Sequence, residues 1–490
     1  MQPSTYETVI GLETHVQLST ASKAFCADSA AFGGAPNTRT GAVSLAHPGT
    51  LPCLNRQVVE YAVRLGLALG CQINRRSTFD RKNYFYADLP KGYQITQDRN
   101  PICIGGQVQV AESGRPIRIH HIHIEEDAGK STHDQHPTDS LIDLNRAGVP
   151  LLEIVTEPDF RSAEEVAAYM EYLRRLVRWL DISDGNMEEG SLRCDVNISV
   201  RPIGQAAFGQ RCEIKNMNSM RFAKRAIEHE AARQAALLSK GDSVEQETRG
   251  FDPDTGRTFS LREKENAQDY RYFPEPDLPP VLLTETYIER VKNALPPLPH
   301  ALENSLQATY GLPAYDAALL TQERSTATCF LVLAEAMPAH LSDPAARINR
   351  HKSISNLLIN RLLPWSASTG QPLSQHPATP ARWHEFLGLI ESGQISASSA
   401  YQRLFPAWME QPQASPADLA ASMNLLQSAD ADFLDRLVEE VLARFPEKVA
   451  EYRKGKKGLI GLFMGEVMKA SGGKADPKAT TRLLEERLRG

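Results

Sequence analysis

The sequence predicts an α+β fold: a sheet-rich part over residues 1–293, a helical part over 294–410, and a small all-helical tail over 411–490. Three observations carry that expectation. Apolar and polar residues alternate with period two through the first part, between turns bearing Gly and Pro. Seven prolines lie between Pro274 and Pro299, which marks a boundary. Beyond Ala301 the alternation stops, and Ala, Leu, Arg and Glu dominate. A chain of 490 residues agrees with about three domains.

In a strand, residues i and i+2 share a face. The first strand, expected over 9–18, puts Glu13, His15 and Gln17 on one face and Leu12, Thr14, Val16 and Leu18 on the other. A strand over 152–157 puts Glu153 with Glu157. One over 192–200 groups Arg193, Asp195, Asn197 and Ser199, and one over 210–215 pairs Glu213 with Lys215. A single face of this kind is an ordinary solvated surface. Four of them, with Arg, His or Lys beside the carboxylates, suggest a concave polar surface. Such a surface suits Mg²⁺-nucleotide chemistry, which needs oxygen ligands for a hard ion and Arg or Lys for phosphoryl oxygens.

The densest segment is HIHIEEDAGKST, residues 121–132. Its GKS is not a P-loop, because the position that must be the first glycine is Ile124. His121, His123 and Glu125 share a face and offer a rival reading as a zinc hydrolase; the surrounding carboxylates favour Mg²⁺. Glu126 falls on the face of Ile122 and Ile124, so the strand is expected to end or bulge near Glu125. The stretch 79–97 mixes Arg81, Lys82 and Lys91 with Tyr84, Phe85, Tyr86 and Tyr93, and 269–277 is similar. Such mixtures either pack or stack bases. One long helix, 220–239, interrupts the strands.

No apolar run approaches the roughly 18 residues of a membrane span, so no membrane association is expected. The N-terminal residues lack a basic start followed by an apolar stretch. The seven cysteines form no CxxC pair, which suits a reduced, cytoplasmic protein. Net charge is −6, yet residues 444–490 carry twelve Lys/Arg against six Asp/Glu, leaving −12 on the remainder. An acidic body with a basic tail is expected.

Seven motifs occur in one order: ETVIGLETHVQL, FDRKNYFYADLPKGYQITQ, HIEEDAGKSTH, LIDLNRAGVPLLEIVTEPD, MEEGSLRCDVNISVRP, EIKNMNS and DYRYFPEPD. Together they resemble the GatB family, the B subunits of Asp/Glu-tRNA amidotransferases. GKKGLIGLFMGEVMKASGGKADP resembles that family's YqeY-like tail. The resemblance covers essentially the whole chain. It implies a cradle-shaped activation domain, a helical domain and a tRNA-binding tail. It also implies a reaction: Mg-ATP phosphorylates the side-chain carboxylate of Asp-tRNA(Asn) or Glu-tRNA(Gln), and ammonia from a glutaminase A subunit displaces phosphate. A small C subunit completes the implied heterotrimer. The alternative is a tRNA-binding scaffold without chemistry.

By motif, Glu13 and His15 match metal-binding positions, and Glu126, Glu153 and Asp195 match the remaining carboxylates around Mg²⁺ and ATP. Arg193 and Lys130 are expected beside the nucleotide. Lys82 resembles a position lining an ammonia tunnel. Lys454, Lys456, Lys457 and Lys469, with Lys474 and Lys478, are expected to meet tRNA phosphates, and the glycines among them would allow close helix packing or close approach to a backbone. Some family members hold zinc with four cysteines before PGTLP. Here only Cys26 sits at such a place and Cys53 lies beyond the spacing, so no zinc site is expected.

Overall fold

The computed structural model describes residues 5–109, 114–133, 136, 138–217, 219–262, 270–427, 431–472 and 474–489. The fold is α+β, and the chain divides into two compact units, Met1–Pro299 and His300–Gly490. The strands that build the first unit are β1 (Tyr6–Gln17), β2 (Asp80–Asn83), β3 (Tyr93–Thr96), β4 (Pro116–Glu126), β5 (Pro150–Thr156), β6 (Leu192–Pro202), β7 (Cys212–Met217), β8 (Thr248–Asp252), β9 (Arg257–Arg262) and β10 (Arg271–Pro274). The main sheet runs β9-β8-β7-β6-β1-β5-β4 and ends in two-residue edge strands at Cys103–Ile104 and Gln72–Ile73. Of its described pairs only β7–β8 is parallel, because the helix Met220–Lys240 carries the chain across between them. A second sheet, β10-β2-β3, has three strands.

Period-two patterning decides which way the main sheet faces. Ile10, Leu12, Val16, Ile122, Ile124, Leu152, Ile154, Val196, Ile198 and Ile214 form one core with helices α1 (Arg56–Ala68), α2 (Ala163–Trp179) and α3 (Met220–Lys240). The helices fit because their apolar residues recur on one face, as Val166, Tyr169, Met170, Leu173, Leu176 and Val177 do on α2. Each is capped: Asn55, Ser162 and Ser219 accept backbone N–H groups at the N-termini, and Gly241 closes α3 at φ +84°. The other face of the sheet is left to the polar residues.

The second unit is helical throughout its described residues. Two of its helices contain a widened π turn, Leu358–Leu362 and Ala400–Leu404, each just before a proline, Pro364 and Pro406. Proline offers no N–H and its ring crowds the carbonyl four residues back, so the wider turn relieves both. Helix Pro416–Ser422, expected in the tail, packs on helix Pro380–Glu391. Glu385 accepts from Ser415 Oγ (2.5 Å) and Ala417 N (3.2 Å), and Gln427 N donates to Gln394 O (2.7 Å). The last four α-helices, from Ala431 to Arg489, enclose their own core of Leu434, Val438, Val441, Tyr452, Phe463, Val467, Leu484 and Leu488.

Candidate ion- and anion-binding site

The free face of the main sheet is a grid whose rows are fixed by register. One row is His123–Glu153–His15–Arg193, across β4, β5, β1 and β6. The next toward the N-terminus of β1 is His121–Val155–Glu13–Asp195, and beyond it Gly11 faces Asn197, which faces Glu213. On the other side Glu125 faces Leu151, which faces Gln17. Residues from five strands thus converge, with register shifts beside Asp195 in the β6–β7 pair and beside Val155 in the β5–β4 pair.

Two groups of donors on this grid have the spacing of cation ligands: His15, Glu125 and Glu153, and Glu13, Asp195 and Glu213, each with donor atoms within 4.8 Å of one another. His15 Nε2 lies 3.2 Å from Glu153 and 3.6 Å from Glu125. Burial disfavours the His15 imidazolium, but the hydrogen bond and charge of Glu153, helped by Glu125 and Asp195, outweigh it and hold the pKa at about 8. His123 is likewise carried to about 10 against burial by Glu153 and Glu125. His121 falls to about 4, because it is buried beside two other imidazoles. Burial would raise Glu153, yet His123 and His15 hold it well below the carboxylate range. Glu13 is pushed up by burial and by Glu153, and Asn197 Nδ2 donates to it at 2.9 Å.

Cations rim the cleft. Lys215 Nζ lies 3.0 Å from both Asp195 and Glu213. Arg193 donates to Asp127 at 2.8 Å, and Arg146 approaches the same carboxylate at 3.5 Å. From the second sheet come Lys82 and Gln94, with Tyr84 just past the end of β2; the Lys82 ammonium lies 4.8 Å from the Tyr270 ring centroid. The open cleft measures about 350 Å³, at the lower end of the range of small-ligand sites.

Several expected residues stand elsewhere. β4 ends at Glu126, near Glu125 as expected, and it stays paired with β5 in regular register up to that end. Its one irregularity lies earlier, opposite Val155/Thr156, where His120 is the extra residue. Glu126 therefore stays on the side of Ile122 and Ile124, apart from both donor groups. Its carboxylate is held by Lys91 Nζ at 2.5 Å and by Ile95 N at 3.0 Å. Glu125 takes the place expected for it, and the alternation Ile122, Ile124 was the signal. Lys130 is exposed at the start of a short strand, Lys130–Thr132, and does not line the cleft. The preceding Gly129 packs so tightly on Asp143 O and Asp88 O that a Cβ would clash at 2.8 and 3.0 Å, which gives that glycine a packing role. Glu157 lies one residue past β5 and bonds Arg118 O through its own N–H. Of His121, His123 and Glu125, which share a face, only Glu125 belongs to a donor group of cation spacing among the described residues. Asp269, in the last of the first unit's motifs, lies outside the described residues.

Sheet, cleft and helical second unit define a class: a sheet domain with a charged, donor-lined cleft on one face, followed by a helical unit. The pattern of the GatB/GatE catalytic domain matches residues 8–289, and that of the GatB domain matches 341–488. The chain is 47% identical to a protein of Myxococcus xanthus over the full length of both. It is also 47% identical to one of Geotalea daltonii, over 99% of this chain and 100% of the relative. A Halorhodospira halophila protein is 46% identical over 99% of each. All three are named as B subunits of aspartyl/glutamyl-tRNA(Asn/Gln) amidotransferase. The chain belongs to this GatB family of amidotransferase subunits.

Proposed function

We propose that the cleft binds Mg²⁺ and ATP and transfers the terminal phosphoryl group to the side-chain carboxylate of Asp-tRNA(Asn) or Glu-tRNA(Gln), after which ammonia displaces phosphate and leaves the amide. The observation that carries this reading is the pair of donor groups one row apart with Arg193, Lys215 and Arg146 around them. Carboxylates with one imidazole fit a divalent cation; His15, Glu125 and Glu153 would hold one, and Glu13, Asp195 and Glu213 a second. Such an ion, when bound, neutralises phosphate oxygens and so favours phosphoryl transfer. The protein's own share is positioning and charge. Arg193 and Arg146 offer guanidinium groups to phosphoryl oxygens, and the regular sheet holds the donor groups in place.

Strand β1 also sets a length. From His15 to Gly11 is about 13 Å at 3.3 Å per residue, roughly the reach of an extended nucleoside triphosphate. Beyond Glu13 the face turns less polar, with Val9, Gly11, Val155 and Pro158 under the exposed ring of Phe208. The base fits there and the phosphates fit over the ions. Lys82 lines the same cleft as Glu125 and Glu153, so ammonia passing it arrives beside the reacting carbonyl.

The tail is the proposed tRNA contact. Lys454, Lys456, Lys457 and Lys469 are exposed, and nothing lies within 4 Å of a Cβ built on Gly455, Gly458, Gly461 or Gly465. Among the described residues the glycines therefore pack against no other helix, and their open face suits close approach of a phosphodiester backbone. Partners in this reading are a glutaminase A subunit, a small C subunit and mischarged tRNA, in the cytoplasm. Among the described residues no helix is long and apolar enough to cross a membrane.

The test is amide formation by the assembled subunits with ATP and tRNA. Glu153→Gln should abolish amidation and leave glutamine hydrolysis unchanged. Unchanged amidation would refute activation at this site and favour the scaffold reading.

A further inference from the structure

We propose that His123, backed by His121, is a positioning residue that aims Glu125 and Glu153 at the cation without touching it. The inference rests on the ion-binding reading above. His123 Nε2 lies 3.5 Å from Glu125 Oε2 and 3.4 Å from Glu153 Oε2, so one ring reaches both glutamates of the first donor group. His123 itself is not one of the three residues whose donor atoms lie mutually within 4.8 Å. It stands at the end of the row, with Glu153 between it and His15.

The ring is fixed from behind. His123 Nδ1 lies 3.1 Å from His121 Nε2, and the two rings stack 5.1 Å apart at 23°. His121 Nδ1 meets His120 Nδ1 at 2.6 Å, and His120 is exposed. The extra residue in β4 brings His120 against His121, so three rings form a chain from the surface inward. His123 Nε2 faces the two glutamates, and one hydrogen lies between His123 Nδ1 and His121 Nε2 and another between His121 Nδ1 and His120 Nδ1. A glutamate has three rotatable bonds, and a ligand carboxylate binds well only when its lone pairs are held in place. An outer donor to a ligand carboxylate does that, and losing one typically costs about 10–100-fold in metal affinity.

Mn²⁺ titration of the full chain without nucleotide, read by electron paramagnetic resonance of the free ion, tests this. Wild type and Glu153→Gln are compared first. If wild type binds no Mn²⁺, or Glu153→Gln binds it as tightly, the ion-site reading fails and the proposal with it. If Glu153→Gln loses one of the Mn²⁺ equivalents that wild type binds, His123→Ala should weaken that one about 10–100-fold. His123→Gln, which keeps an N–H donor, should recover part of that loss. His121→Ala should cost less than His123→Ala, and His120→Ala should cost nothing. A folded His123→Ala that binds Mn²⁺ as tightly as wild type, or more tightly, overturns the proposal while leaving the ion site standing. So does a loss that His123→Gln fails to recover at an unchanged unfolding midpoint. Should His123→Ala not fold, His121→Ala decides, and wild-type affinity in that variant overturns the proposal.

Discussion

Glu125 and Glu126 are neighbours carrying the same group, yet they stand in opposite environments. Glu125 shares a donor group with His15 and Glu153, while Glu126 lies behind the sheet on Lys91. Glu125→Gln should weaken divalent binding at least about ten-fold, by analogy with the loss of one ligand or its support. Glu126→Gln should leave that affinity unchanged but lower stability by about 1–3 kcal/mol, because the half-buried Lys91 loses its charged partner. Calorimetric titration and urea unfolding separate the two. His15 adds a pH dependence. Its folded pKa of about 8 exceeds the ordinary 6.5, so the metal-free fold gains stability that is fully present below pH 6.5 and lost as pH rises through 8. That contribution is on the order of 2 kcal/mol. Divalent binding should run the other way: it expels the His15 proton and tightens as pH rises through 8. Titrations in buffers of different ionisation enthalpy would count that proton, and none released would refute His15 as a ligand.

At the scale of elements, the polar faces of β1, β5, β6 and β7 were legible because alternation with buried neighbours is a strong signal. What alternation leaves open is register, which aligns Glu153, His15 and Arg193 in one row and sets Glu13 and Asp195 in the next. Nor does it show where a strand stops, and so it assigns Glu157 to a strand that ends at Thr156. The loop before PGTLP is another such element. Without four cysteines it is held by hydrogen bonds: Asp28 accepts from Ser44 Oγ (2.6 Å) and Gly41 N (2.7 Å), and Asn37 Nδ2 donates to Ile142 O (2.9 Å) while its Oδ1 accepts from Leu144 N (2.8 Å). Asp28→Ala should cost about 1–3 kcal/mol in urea unfolding, and a zinc chelator should leave the wild-type midpoint where it is. A chelator-induced drop would reveal a metal the loop chemistry does not call for. On β1, Gly11→Val should weaken ATP binding while sparing Mn²⁺ binding, since a side chain there enters the proposed base site and not the ion groups.

For the whole molecule, the change from sheet to helix was legible in composition, and the division between compact units falls at Pro299/His300, within the proline-rich stretch. The start of the tail was harder to read. A Ser-Pro pair at Ser415-Pro416 reads as a helix start, and it is one, but what that helix packs on is a tertiary matter. A chain ending at residue 427 should keep the unfolding midpoint of the remaining helices and lose tRNA affinity, with a shallower salt dependence. A chain ending at 415 should be less stable as well, because buried Ala420 and Leu425 are gone. Equal tRNA affinity in the 1–427 chain would refute the tail as the tRNA contact.

The row built by β1 also sets what kind of genetic change the protein can survive. Drop one codon between Tyr6 and Glu13, and every later residue of the strand changes sides. Glu13 and His15 would then enter the helix-packed core, and Leu12 and Val16, each worth about 1.5–3 kcal/mol when buried, would face the cleft. Drop two codons instead, and the sides are kept while the ligands slide by one row against β5 and β6. The first lesion should yield a protein that does not fold, the second one that folds and does not work. A strand so read has a grammar in pairs, and its tolerance of insertions and deletions should alternate with their parity.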